Sequence, residues 1–144
     1  MLIFLTISFF FLLQFVHCTP NDKLRECCET LPGIDQECAQ KFCDFHNINS
    51  LMVVPFISMC GPRGDTGKQV WKCLSSKHDH TQCCRNQGVL PFCLPFCKAD
   101  TTVPNDLPKY GICIQEFEKY RKCFRTYIQH NGAYHENYLD GDEE

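Results

Sequence analysis

Thirteen cysteines in 144 residues constrain the fold of this chain more than any other feature. Twelve of them form two series of the same order, each an adjacent pair followed by four single cysteines. The gaps after the pair are 9, 4, 16 and 12 residues in the first series and 8, 3, 15 and 9 in the second. The repeat predicts two equivalent halves. The first series is Cys27, Cys28, Cys38, Cys43, Cys60 and Cys73, and the second is Cys83, Cys84, Cys93, Cys97, Cys113 and Cys123.

The thirteenth cysteine, Cys18, ends an N-terminal segment that contains no Lys, Arg, Asp or Glu. Leu2 to Leu13 is almost wholly apolar, which is typical of a signal peptide and short of the roughly 20 residues that a membrane-spanning helix needs. We expect residues 1–18 to be cleaved as a signal peptide, after which no segment inserts into a membrane. Twelve cysteines then remain, enough for about six disulfides in a secreted, extracellular protein.

The apolar core of the remaining chain is thin. Leu, Ile, Val and Phe together make about a fifth of residues 19–144, close to the level at which a chain cannot fold on apolar burial alone. Disulfides stabilise a domain by about 2–4 kcal/mol each. We therefore expect a small disulfide-rich domain over residues 19–130, with its cystine core at 27–123. An acidic, disordered tail is expected at 131–144.

Helical periodicity predicts a mainly α fold. Between Gly111 and His130, an apolar face recurs at spacings of three and four residues, formed by Cys113, Phe117, Tyr120, Phe124 and Ile128. A second helix is predicted over 36–45. The apolar stretch 51–59 is interrupted by Pro55, and two loops are predicted at 61–67 and 98–108.

The stretch from His78 to Val89, followed by Cys93-Leu94 and Cys97, is similar to the DB module, a twelve-cysteine extracellular module of nematode-type proteins. Cys113 and the segment 120–124 also match, so the resemblance covers 27–123. The chain departs from the pattern at Leu90, because the family usually places proline directly after Gly-Val. The resemblance implies secretion and a disulfide-rich fold, and it implies no reaction. By analogy alone it favours binding.

No residue pattern indicates an enzyme, a metal or a cofactor. The chain has neither Gly-x-Ser-x-Gly nor Cys-x-x-Cys, and paired cysteines leave no thiol nucleophile. His78, Asp79 and His80 beside a cysteine pair allow either a zinc site or a structural role, in which Asp79 caps the next helix and His80 packs beside it. We favour the structural role. The net charge of −3 argues against nucleic acid as a partner.

Arg63, Gly64 and Asp65 spell a tripeptide of the kind that integrins recognise, inside a glycine-rich segment between two cysteines. An arginine and a carboxylate separated by glycine can span a receptor's acidic pocket and its metal ion. The alternative is an ordinary turn, since Gly, Pro and Asp are turn formers.

The sequence thus predicts a secreted binding or structural module whose partner is an unidentified extracellular or cell-surface protein. Two alternatives remain open. One is an adhesion ligand acting through Arg63-Gly64-Asp65, and the other is a protease inhibitor presenting one of the two loops.

Overall fold

A computed structural model describes residues 18–134 of the chain, except residue 102. The predicted signal peptide, apart from Cys18, lies outside the described residues, as do residues 135–144 of the predicted tail.

The described residues are mainly helical, as predicted, and contain no β-strand. An isolated antiparallel bridge joins Asp79 to Lys98. The α-helices are α1 (Pro20–Thr30), α2 (Gln36–Phe42), α3 (Val53–Cys60), α4 (Thr66–Ser75), α5 (Thr81–Asn86), α6 (Leu107–Tyr110) and α7 (Phe117–Asn131). Shorter 3₁₀ segments run over Ser50–Met52, Pro91–Phe96 and Gly111–Glu116.

Six disulfides join the twelve predicted cysteines, and the two halves have the same connectivity. In each half the first cysteine pairs with the sixth, the second with the fourth and the third with the fifth. The pairs are Cys27–Cys73, Cys28–Cys43 and Cys38–Cys60 in the first half, and Cys83–Cys123, Cys84–Cys97 and Cys93–Cys113 in the second. Cys18 is unpaired and exposed. The structure therefore confirms the two six-cysteine halves.

The two halves are joined by packing, since every one of these disulfides lies within one half. Helix α7 of the second half packs against α1 and α4 of the first. Lys23 extends from α1 to the end of α7, where its Nζ donates to the carbonyl oxygens of Ile128 at 3.0 Å and Gln129 at 3.2 Å. Arg121 on α7 donates in return to the carbonyl oxygen of Phe45.

The predicted helical face of the last element forms the centre of this interface. All five of its apolar residues are buried, from Cys113 to Ile128. The helix begins later than expected, because residues 111–116 form a 3₁₀ segment before the α-helix starts at Phe117.

Three boundaries differ from the sequence-based prediction. The predicted helix 36–45 ends at Phe42, because Cys43 leaves the helical region with φ −82° and ψ 53°. The stretch around Pro55 is helical, since proline at the third position of α3 lacks only an N–H that has no acceptor within the helix. The ordered chain extends past 130: α7 ends at Asn131, and Ala133 and Tyr134 pack against the core.

Candidate binding cleft

A cavity lies where the two halves meet, and we call it the inter-half cleft. Its volume is about 570 Å³. The first half supplies side chains from α3 and α4, and the second supplies them from the 97–106 loop, the 111–116 segment and α7. The apolar and aromatic lining residues are Ile48, Val53, Phe56, Ile57, Trp71, Phe96, Ala99, Val103, Pro104, Tyr110, Ile114, Phe117 and Tyr120.

Aromatic rings from both halves build one wall of the cleft. Trp71 on α4 meets Phe96 and Phe124 edge-on, with ring centroids 6.2 and 5.3 Å apart. Phe96 in turn stacks on Tyr120 at 5.9 Å. Offset and edge-to-face pairs are the favoured geometries for such rings, so the wall is a packed surface. Burial raises the pKa of the Tyr120 hydroxyl well above its ordinary value, and that hydroxyl donates to the Cys93 carbonyl oxygen at 3.3 Å.

One polar atom of this wall has no partner among the described residues. The Nε1–H of Trp71 is buried and donates no hydrogen bond there. Buried polar groups are nearly always paired, because an unpaired one costs about 1–3 kcal/mol.

Charged side chains also line the cleft. Lys68 and Lys72 come from the first half, Lys77 comes from the segment that joins the halves, and Asp100 and Asp106 come from the second. Lys68 pairs with Asp65, Asp100 pairs with Lys98 at 3.8 Å, and Asp106 accepts from the Lys109 backbone N–H at 3.2 Å. The lining is thus apolar in the main, with a few charged groups, as in most small-molecule sites.

The predicted adhesion tripeptide lies apart from the cleft, and its arginine is engaged within the fold. Arg63 Nη1 donates to Asp35 Oδ1 at 2.6 Å and to Glu37 Oε2 at 2.8 Å. These hydrogen bonds, the one to Glu37 first and then the one to Asp35, raise the pKa of Arg63. Asp35 caps α2 by accepting from the Cys38 N–H at 3.1 Å. Arg63 therefore links the turn at 61–65 to the start of α2 through these two carboxylates.

The remaining two residues of the tripeptide are exposed. Gly64 adopts φ +59°, which favours glycine, and Asp65 is 67% exposed and pairs with Lys68 at 3.1 Å. An adhesion ligand needs both the arginine and the carboxylate free to reach a receptor. Because Arg63 is held by two carboxylates, this geometry favours the turn interpretation over adhesion.

The segment 61–67, one of the two loops considered for protease inhibition, consists of a turn and the start of a helix. The Thr66 N–H donates to the Arg63 carbonyl oxygen at 3.2 Å, and α4 begins at Thr66. Recognition by strand addition needs an extended backbone, so this segment does not favour that mode.

The side chains of the histidine cluster are engaged within the fold, although the N-cap of α5 is His80 and not the predicted Asp79. Asp79 accepts from the Thr81 N–H at 2.8 Å at the start of α5, and His80 is buried with Nε2 2.7 Å from the Ser75 carbonyl oxygen. His78 stacks on Tyr127 with ring centroids 4.2 Å apart. Across the described residues, no three His, Cys, Asp or Glu side chains are grouped to hold a metal ion.

Sequence reasoning missed the residues of the inter-half cleft. Cleft residues from the two halves are separated by up to about 70 positions, and short-range periodicity carries no information on how the halves pack together. Gly67, at the start of α4, is half-buried, and no motif around it indicates that it borders a cavity.

Comparison with known proteins gives a family and no individual relative. The family model described as the DB module matches residues 27–124, about two thirds of the chain. No curated protein and no solved structure matches the sequence. Within residues 18–134, none of the helices is long and apolar enough to cross a membrane.

Proposed function

The chain belongs to the DB module family, and from this and the inter-half cleft we propose that it is a non-catalytic binding module of the extracellular space. Six disulfides fit an oxidising compartment, where such small scaffolds are common. The proposed binding site is the inter-half cleft. The sequence predicts protein binding, and this agrees with the proposal if a partner protein places an apolar side chain in the cleft.

The observation that carries the proposal is the cleft itself. Its volume of about 570 Å³ lies within the 300–1,000 Å³ typical of small-molecule sites. Both halves line it, so the duplicated architecture creates the site by placing one half against the other. Binding is favoured over catalysis because the described titratable side chains do not form a nucleophile and base pair in the cleft.

Gly67 offers a direct way to test the site. It lines the cleft, and a Cβ placed on it would meet no atom within 4 Å. Gly67→Phe therefore adds a bulky side chain at the cleft without a clash at its Cβ. Gly111→Phe is a matched control, since a Cβ at Gly111 also meets nothing within 4 Å and Gly111 does not line the cleft.

The probe is Nile red, an uncharged apolar dye whose emission rises in apolar surroundings. We expect the oxidised mature protein and Gly111→Phe to bind it saturably at one site. Gly67→Phe should bind it at least tenfold more weakly. Absence of dye binding by the parent protein, or equal binding by all three, would refute the cleft as the site. Circular dichroism shows whether the variants remain folded.

A further inference from the structure

We propose that the occupant of the inter-half cleft is an amphiphile with one hydrocarbon chain and a negatively charged head, such as a fatty acid, held at its head by Lys72. This inference rests on the proposed function and adds the chemical class of the ligand. Its two parts, the apolar interior and the uncommitted cation, come from separate observations.

The interior matches a hydrocarbon chain. Val53, Phe56 and Ile57 from the first half face a cleft that Ile114 and Phe117 line from the second. Aliphatic and aromatic surfaces of this kind favour methylene groups because burial removes both surfaces from water. A volume in the range of drug-sized ligands suits one chain of moderate length.

The head charge follows from how the charged lining residues are already used. Lys68 pairs with Asp65 at 3.1 Å, and Lys77 lies 5.9 Å from the ring centroid of Tyr134. Lys72 is half-buried, and among the described residues it has no ion pair or hydrogen bond from its Nζ. An ammonium group that lines a cleft and has no anionic partner favours an anion close to it.

The acidic lining residues do not provide that partner. Asp100 pairs with Lys98 at 3.8 Å, and Asp106 accepts from the Lys109 N–H at the start of α6. Neither lies within 4.0 Å of Lys72. With three lysines and two aspartates, the lining carries a net positive charge, which favours an anionic head over a cationic one.

The test compares three probes of equal chain length, dodecanoate, dodecan-1-ol and dodecylamine, by displacement of Nile red from the oxidised mature protein below their micelle concentrations. We expect dodecanoate to bind about tenfold more tightly than the alcohol, and the amine to bind most weakly. Lys72→Gln should remove about tenfold in affinity for dodecanoate and leave the affinity for the alcohol unchanged. Lys122→Gln, an exposed lysine of α7 outside the cleft, is the control and should change neither.

The outcomes separate this inference from the proposed function. Equal affinity for the acid and the alcohol, or an unchanged acid affinity in Lys72→Gln, overturns the anionic head while the cleft remains a binding site. Failure of all three probes and of Nile red overturns both. Dodecyl phosphate, as a fourth probe, distinguishes the source of the charge: tighter binding than dodecanoate assigns the head to a phosphorylated lipid, and weaker binding assigns it to a carboxylate.

Discussion

Acidification below neutral pH should destabilise this protein through one residue, His80. Its side chain is buried, with the residue 4% exposed, and packs against the rings of Phe124 at 4.7 Å and His78 at 5.0 Å. A carbonyl oxygen can only accept, so Nε2 carries the proton that it donates to Ser75 at 2.7 Å. Protonation must then occur at Nδ1 and place a charge in the core.

Burial lowers the pKa of His80, and this cause outweighs the opposing hydrogen bond to Ser75. The unfolded chain, with an ordinary pKa of about 6.5, therefore takes up the proton before the folded chain does. The contribution of neutral His80 to the free energy of unfolding is fully present above the unfolded-state pKa. It decreases as pH falls below that pKa towards the pKa of the folded state. The slope is at most about 1.4 kcal/mol per pH unit for one proton. Against a total stability of about 5–15 kcal/mol, that loss is readily measured.

Urea unfolding followed by circular dichroism at pH 7.5, 6.5 and 5.5 measures the effect. The parent protein should lose free energy of unfolding between pH 6.5 and 5.5. His80→Gln keeps an N–H donor for Ser75 and does not titrate, so its stability should be nearly constant over this range. His130→Gln, at an exposed histidine near the end of α7, should retain the slope of the parent protein. A flat profile for the parent protein, or an unchanged slope in His80→Gln, would refute the reasoning.

Three further predictions concern the covalent framework and the turn at 61–65. Replacing both Cys27 and Cys73 by alanine removes a bridge with a sequence separation of 46 and should cost about 4 kcal/mol in urea unfolding; a loss below about 1 kcal/mol would contradict the loop-entropy account. Proteolysis within 74–82 of the unreduced, denatured protein should yield two separate fragments by mass spectrometry, whereas fragments that part only after reduction would disprove the connectivity. Arg63→Ala should lower the urea midpoint, because it removes two ion pairs that hold the turn against α2, while Asp65→Ala should leave the midpoint nearly unchanged; equal effects would remove the structural role of Arg63.

Much of the fold was predictable because it depends on local or repeated patterns. The matching cysteine series predicted two equivalent halves, and the same connectivity in both confirms it. The face from Phe117 to Ile128 has helical spacing, and a core-facing helix needs that spacing. The pairing itself was not predictable, because six cysteines in one half allow fifteen arrangements.

The candidate site was less predictable than the fold. The tripeptide at 63–65 attracted attention as a string of letters, but the partners of Arg63 are Asp35 and Glu37, about 26–28 positions away. A sequence shows which side chains can bind a receptor and does not show which are already paired. The cleft depends on packing between the two halves, which no short-range pattern specifies.

The binding of dodecanoate beside Trp71 tests the central claim most directly. Trp71 is the single tryptophan of the chain and lines the inter-half cleft, so its fluorescence reports on the site without a label. We predict that dodecanoate shifts the emission of Trp71 saturably at one equivalent, that Gly111→Phe gives the same titration, and that Gly67→Phe gives none. Dodecanoate binding that leaves the emission of Trp71 unchanged, or a full shift in Gly67→Phe, would contradict the inter-half cleft as the binding site.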